Sequence, residues 1–142
     1  MKLQEAITLL YHKFFNDSKI EVKQALLFSR PFIDVQCYLA RDKTELKSKL
    51  WRNDMFNIHI TLDTINENEI MFTYLSKSYI IKNGCRKIAK QSRIIKRDEI
   101  SILKEINSMF KKIHDSLIED IKNDNIEEDY IELLHKRIKP WL

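Results

Sequence analysis

The spacing of apolar residues changes twice along this chain, and the two changes set the order of its secondary structure. Before Pro31 apolar residues recur every three or four positions, which is typical of amphipathic helices. From Phe32 they recur at every second position, as in strands with one buried face. After Asp98 the helical spacing returns. The sequence therefore predicts helices, then a sheet, then helices.

Two helices are predicted at the start of the chain. The first carries one apolar stripe and ends at residues 16–18. Ser18 and Glu21 then match a capping box, in which each side chain hydrogen-bonds the backbone of the other residue. This match predicts a second, short helix from Lys19 to about Ser29. Pro31 ends that helix because proline disfavours helical geometry at the preceding residue.

Three strands are predicted next, over residues 32–40, 56–63 and from residue 70 onward, with the third antiparallel to the second. A short helix over residues 44–52 is expected to connect the first two strands. The second strand has the clearest alternation. A slip of one residue would bury His59 and Asp63, so we expect its register to be well specified.

Residues 77–97 form the most unusual segment, with eight basic residues and no acidic one. We call this segment the basic element. Its candidate binding residues are Lys77, Tyr79, Lys82, Arg86, Lys87, Lys90, Arg93, Lys96 and Arg97. Asn83-Gly84 favours a two-residue hairpin turn, because both central residues of such a turn must tolerate positive φ. We therefore predict a basic hairpin whose second strand covers residues 85–96, with a helix over the same residues as the alternative.

Charge is distributed unevenly along the chain. Residues 64–97 hold eight basic and two acidic residues, whereas residues 98–142 hold seven basic and eleven acidic ones. The acidic segment is predicted to form a long helix capped by Asp98 and, after residues 123–125, a short final helix. It is therefore a candidate partner for the basic element, within one chain or between subunits.

Together these segments predict an α+β fold in one globular domain over residues 1–142. An antiparallel sheet of three to four strands is flanked by two N-terminal helices and by a long and a short C-terminal helix. No apolar run reaches the roughly 20 residues needed to cross a bilayer, and the N-terminus lacks the apolar run of a signal peptide. We therefore expect a cytoplasmic protein with no membrane partner. Abundant Ile, Lys and Asn indicate an AT-rich coding sequence from a low-GC bacterium, phage or mobile element.

Residues 58–62, Ile-His-Ile-Thr-Leu, place His59 and Thr61 on one face of the second strand. The motif resembles half of the signature of the two-histidine phosphoesterases, which implies a second such motif facing it across a cleft. The candidate partner, residues 114–116, lies in the predicted long helix and has Asp115 where the family places an apolar residue. The favoured interpretation is the solvated face of an antiparallel strand.

Asp34, Glu45 and Lys47 resemble the signature of the PD-(D/E)xK nucleases, which implies two carboxylates holding Mg²⁺ and a lysine orienting the attacking water. However, the charges around Glu45 alternate as on an exposed helical turn, and this is the favoured interpretation.

Other cofactor and metal sites lack their sequence signals. A single glycine excludes a glycine-rich phosphate loop, and the chain has no CxxC motif or cluster of histidines for zinc. Cys37 and Cys85 are expected to be thiols that serve as small apolar core residues. We therefore predict a non-enzymatic protein without a metal or cofactor.

The basic element leads to two binding hypotheses. The favoured one is contact with a nucleic-acid backbone, with Tyr79 stacking on a base. The alternative is a protein-binding module of the adaptor, chaperone or phage-inhibitor kind, which binds an acidic protein surface or forms a homodimer through the long helix. A two-histidine phosphoesterase is the third hypothesis.

Overall fold

A computed structural model describes residues 2–16, 19–27, 30–38, 57–74, 78–82, 84–87, 91–126 and 128–138. Within these ranges the chain forms three helices and seven strands. The helices are α1 (Leu3–Phe14), α2 (Glu99–Lys122) and α3 (Glu128–Arg137). The strands are β1 (Lys19–Leu27), β2 (Arg30–Tyr38), β3 (Asn57–Thr64), β4 (Glu69–Tyr74), β5 (Ser78–Ile81), β6 (Gly84–Lys87) and β7 (Gln91–Lys96). The α+β class is confirmed.

The strands that the structure describes make two antiparallel sheets. Five of them form the main sheet in the order β1-β2-β3-β4-β7, and β5 pairs with β6 in a separate two-stranded ribbon. The main sheet is thus larger than the predicted three to four strands. The helix predicted over residues 44–52 lies outside the described residues.

The second predicted helix is wrong, because residues 19–27 form the edge strand β1. Ile20 lies opposite Cys37, and Val22 lies opposite Val35, so their side chains extend the apolar face of the sheet. Burial of these two β-branched residues outweighs the local capping signal. Pro31 lies in β2 near the hairpin end, opposite Leu26.

The inner face of the main sheet is apolar and packs against α1 and α2. Its buried side chains come from alternate positions of the three central strands: Val35, Cys37, Ile58, Ile60, Leu62, Ile70, Phe72 and Tyr74. This alternation confirms the predicted register of β3. The rings of Tyr11 and Phe110 lie 5.5 Å apart, and those of Phe14 and His114 lie 5.6 Å apart. These contacts advance together along both helices, so α1 and α2 run in the same direction.

The ends of α2 are closed by side-chain and backbone hydrogen bonds. At the start, the Ser101 amide and hydroxyl donate to the Asp98 carboxylate, which lowers the pKa of Asp98. At the end, Asp124 has a φ of 55°, its amide donates to Ile121, and the Asn125 amide donates to Asp120. This pattern is a Schellman motif, in which the left-handed residue satisfies the last helical carbonyls.

Candidate nucleic-acid interface

The basic element folds into the β5–β6 ribbon followed by β7, so the predicted hairpin is present and the helical alternative is wrong for residues 84–87 and 91–96. Ile81 pairs with Gly84, so Gly84 belongs to β6 and not to the turn, where it was predicted. Ile81, the last residue of β5, packs against the core. The predicted second strand is divided in two, because β7 leaves the ribbon and pairs with β4.

The ribbon brings predicted binding residues together by register. Tyr79 lies opposite Arg86, and Ser78 lies opposite Lys87. Directly opposite residues in an antiparallel pair share one face of the ribbon, so its two faces each carry at least one basic position. Lys77 and Lys90 lie outside the described residues.

The tip of the ribbon is attached to the end of α2. The Lys82 amide donates to the carbonyl of Asn125, and the Lys82 ammonium lies 2.9 Å from the Asp124 carboxylate. Asp124 is exposed in the loop that follows α2, where its left-handed conformation directs the chain toward α3. The ribbon is therefore held at the acidic C-terminal segment, where the sequence predicted a partner.

Strand β7 places its basic residues on both faces of the main sheet. Arg93 lies opposite the buried Phe72, on the face of the sheet that α2 covers. Its guanidinium lies 3.1 Å from the Glu105 carboxylate of α2. Lys96 is exposed and lies opposite Glu69. Arg97 donates to the Asn66 carbonyl. Lys82, Arg93 and Arg97 thus each contact a carboxylate or a carbonyl of the same chain.

The two histidines of the phosphoesterase resemblance lie on different layers of the protein. His59 is on the outer face of the sheet, where its Nε2 contacts the Asp34 carboxylate. His114 is 3% exposed in α2, beside the rings of Phe14 and Phe15 from the helical layer. The sheet separates the two imidazoles, so the fold does not bring them to a common phosphate.

A polar cluster on the outer face was missed by the sequence reasoning. Asp34 accepts hydrogen bonds from His59 and from Gln36, whose amide nitrogen lies 2.9 Å from the second carboxylate oxygen. The signal was the alternation of β2 and β3, which puts all three residues on one face, but the pairing register of the two strands was not available from it. The nuclease resemblance gains no support, since Glu45 and Lys47 lie outside the described residues.

The described part of the chain contains no candidate metal site, and its Cys37 side chain is not available for thiol chemistry. No group of three or more His, Cys, Asp or Glu side chains there is placed to hold a metal ion. Cys37 is a free, buried thiol, and burial raises its pKa well above the ordinary value. The thiol therefore stays protonated at neutral pH and serves as a core residue, as predicted.

Of the three helices in the described ranges, none combines the length and apolar character that crossing a bilayer requires. No protein-family model, curated protein or solved structure matches this chain.

Proposed function

We propose that the protein is a non-enzymatic, cytoplasmic protein that binds the phosphate backbone of nucleic acid through the basic element. One observation carries the proposal: strands β5 and β6 of the basic element form a two-stranded ribbon outside the main sheet, and β7 of the same element forms an edge strand of that sheet. A β-ribbon is one of the two backbone forms that fit a nucleic-acid groove, and alternate residues of a strand repeat at about 7 Å, close to the phosphate spacing of a single strand. Tyr79, opposite Arg86, is the candidate for stacking on a base.

The internal carboxylates of Asp124 and Glu105 set how much of this charge a nucleic acid meets. Lys82 and Arg93 are paired with them. The Asp124 side chain is 78% exposed, so its ion pair with Lys82 contributes about 0–1 kcal/mol, which contact with a phosphate exceeds. The Glu105 side chain is only 14% exposed, so its ion pair with Arg93 is screened less by water. We therefore expect nucleic acid to displace Asp124 more readily than Glu105, and binding to be weaker than eight unpaired bases would give.

The test is a gel shift or anisotropy titration on generic DNA and RNA over a range of salt concentrations. If about six bases meet phosphates, affinity falls with salt at a log–log slope of about −5. Reversing Arg86, Lys90 and Arg93 to Glu abolishes binding. Binding that survives the triple reversal contradicts the assignment of the surface.

A matched pair of neutralised variants tests the role of the internal carboxylates. Asp124→Asn with Glu105→Gln frees Lys82 and Arg93, and asparagine tolerates the left-handed backbone at residue 124. Affinity should rise by up to about fivefold for the freed Lys82, whose exposed ion pair contributes about 0–1 kcal/mol, and by more for the freed Arg93, whose partner Glu105 is less exposed. Asp115→Asn is the control for the loss of one negative charge, because it neutralises the exposed partner of Lys111 in the middle of α2, outside the basic element. A control gain equal to the gain per neutralised carboxylate in the double variant would assign the effect to net charge alone.

A protein with an acidic surface is the second candidate ligand. The observation that favours it is chemical: two bases of the element, Lys82 and Arg93, already bind carboxylates of this chain, at Asp124 and Glu105. Absence of binding to both DNA and RNA, together with an acidic protein that co-purifies and is released by salt, would favour this candidate.

A further inference from the structure

A groove of about 490 Å³ lies between α1 and α2, away from the basic element's ribbon. Its lining consists of Ala6, Leu9, Leu10, Lys13, Leu103, Lys104 and Asn107. On each helix these residues recur at three- or four-residue spacing, so each helix contributes one stripe. Because α1 and α2 run in the same direction, the two stripes lie side by side, over about two helical turns of α1, roughly 10 Å, and about one turn of α2, roughly 6 Å.

The groove exposes apolar side chains that the core does not need. Leu9, in the lining, is 57% exposed, and Ile100, which lies one turn before Leu103 and outside the lining, is 81% exposed. Leu10 and Leu103 are partly buried and continue the apolar surface down to the core. An isolated exposed leucine is ordinary, but a stripe shared by two adjacent helices is typical of a surface that receives a third helix.

The polar residues that line the groove indicate which charge a helix bound there should carry. Lys13 and Lys104 are exposed, the lining contains no acidic residue, and neither lysine forms an ion pair with a described acidic residue. An occupant with carboxylates beside the two lysines would pair with both ammonium groups.

We propose that this groove binds an acidic amphipathic helix of a partner protein. A second copy of the chain fits less well, because a two-fold interface through the groove would gather Lys13 and Lys104 of both copies, with no acidic residue in either lining. The bound helix places apolar residues at i, i+3, i+4 and i+7 on Leu9 and Leu103 and directs flanking carboxylates to the two lysines. This site is separate from the basic element and does not depend on nucleic-acid binding.

The test uses two synthetic, alanine-rich helical peptides of about 18 residues, with fluorescence anisotropy against the full chain. Both peptides carry the same leucine stripe, and they differ only in flanking residues, Glu in one and Lys in the other. The acidic peptide should bind at least about tenfold more tightly, since two attractive pairs replace two repulsive ones.

Three variants locate the binding on the protein. Leu9→Glu should weaken the acidic peptide about tenfold or more, whereas Ile94→Glu should leave it unchanged. Ile94 is a matched control, being 54% exposed on the outer face of the sheet. Lys13→Glu with Lys104→Glu should reverse the preference toward the lysine peptide, and both lysines are exposed enough to change without disturbing the fold.

Four results would overturn the proposal. They are absence of binding by the acidic peptide, equal binding of the two peptides, equal losses in the Leu9 and Ile94 variants, and an unchanged preference after the double lysine reversal. Sedimentation equilibrium without peptide supplies the last check: a dimer that Leu9→Glu dissociates would assign the groove to a second copy.

Discussion

The two faces of the five-stranded sheet are made by the same strands but are held in different ways. On the inner face Val35, Ile60 and Phe72 are buried beneath α1 and α2. On the outer face their neighbours make pairwise polar contacts, such as Asp34 with His59 and Thr73 with Ser92, and stay half-buried or exposed. Burial of the inner face fixes the pairing register of the strands. The polar residues of the outer face can therefore vary without changing that register.

The largest expected effect comes from adjacent substitutions on the two faces of β4. Phe72→Ala removes a ring that is 1% exposed and should lower the free energy of unfolding by about 3–5 kcal/mol. Thr73→Ala removes one hydrogen bond to Ser92 and should cost about 1 kcal/mol or less. Urea unfolding followed by circular dichroism measures both. Equal costs would show that the outer face is also covered.

A smaller effect is expected from the Asp34–His59 contact. In a double-mutant cycle with Asp34→Ala and His59→Ala, the coupling free energy should be about 0.5–1.5 kcal/mol, because both side chains keep partial access to water. The cycle uses urea unfolding of the four proteins at neutral pH. A coupling of zero would mean that the strands alone hold these side chains in place.

The smallest effect is expected from Lys111 and Asp115, an exposed ion pair on α2. Its coupling free energy is the reference for that of the less exposed Asp34–His59 pair on the sheet. The coupling of Lys111 with Asp115 should be about 0.3–0.5 kcal/mol and should fade at high salt. The hydrogen bond from Lys111 lowers the pKa of Asp115, so the pair stabilises the fold above the ordinary carboxyl pKa and loses this contribution as pH falls through the folded value. Lys111→Ala should raise the pKa of Asp115, as measured by NMR titration. An unchanged pKa would contradict the pairing.

The parts of the fold that the sequence predicted are those with long, uninterrupted periodicity. The alternation in β3 and the stripe of α2 each extend over enough residues for burial to leave one solution. Residues 19–27 were misassigned because the motif at Ser18 and Glu21 is short and local. The alternation of Ile20 and Val22 with charged residues was the signal for an edge strand, and it became decisive only beside β2.

The candidate site was predictable in composition but not in geometry. The run of bases marked the element, and the acidic segment was expected as a partner. The acidic segment supplies the carboxylates of Asp124 and Glu105. Their contact with the basic element depends on where α2 ends and on how β7 lies beside α2. The contact of His59 with Asp34 similarly depends on pairing between strands 25 residues apart.

Strand β7 leads directly into α2, so the first turn of α2 responds to changes in β7. Arg97 is hydrogen-bonded to Asn68 and Asn66, and the next residue, Asp98, caps the helix through Ser101, so no flexible residue separates the strand from the helix. A ligand that steadies β7 must also slow the opening of this cap. Hydrogen exchange at the amides of Ser101 and Ile102 would then register occupancy of the basic element without any label on the ligand.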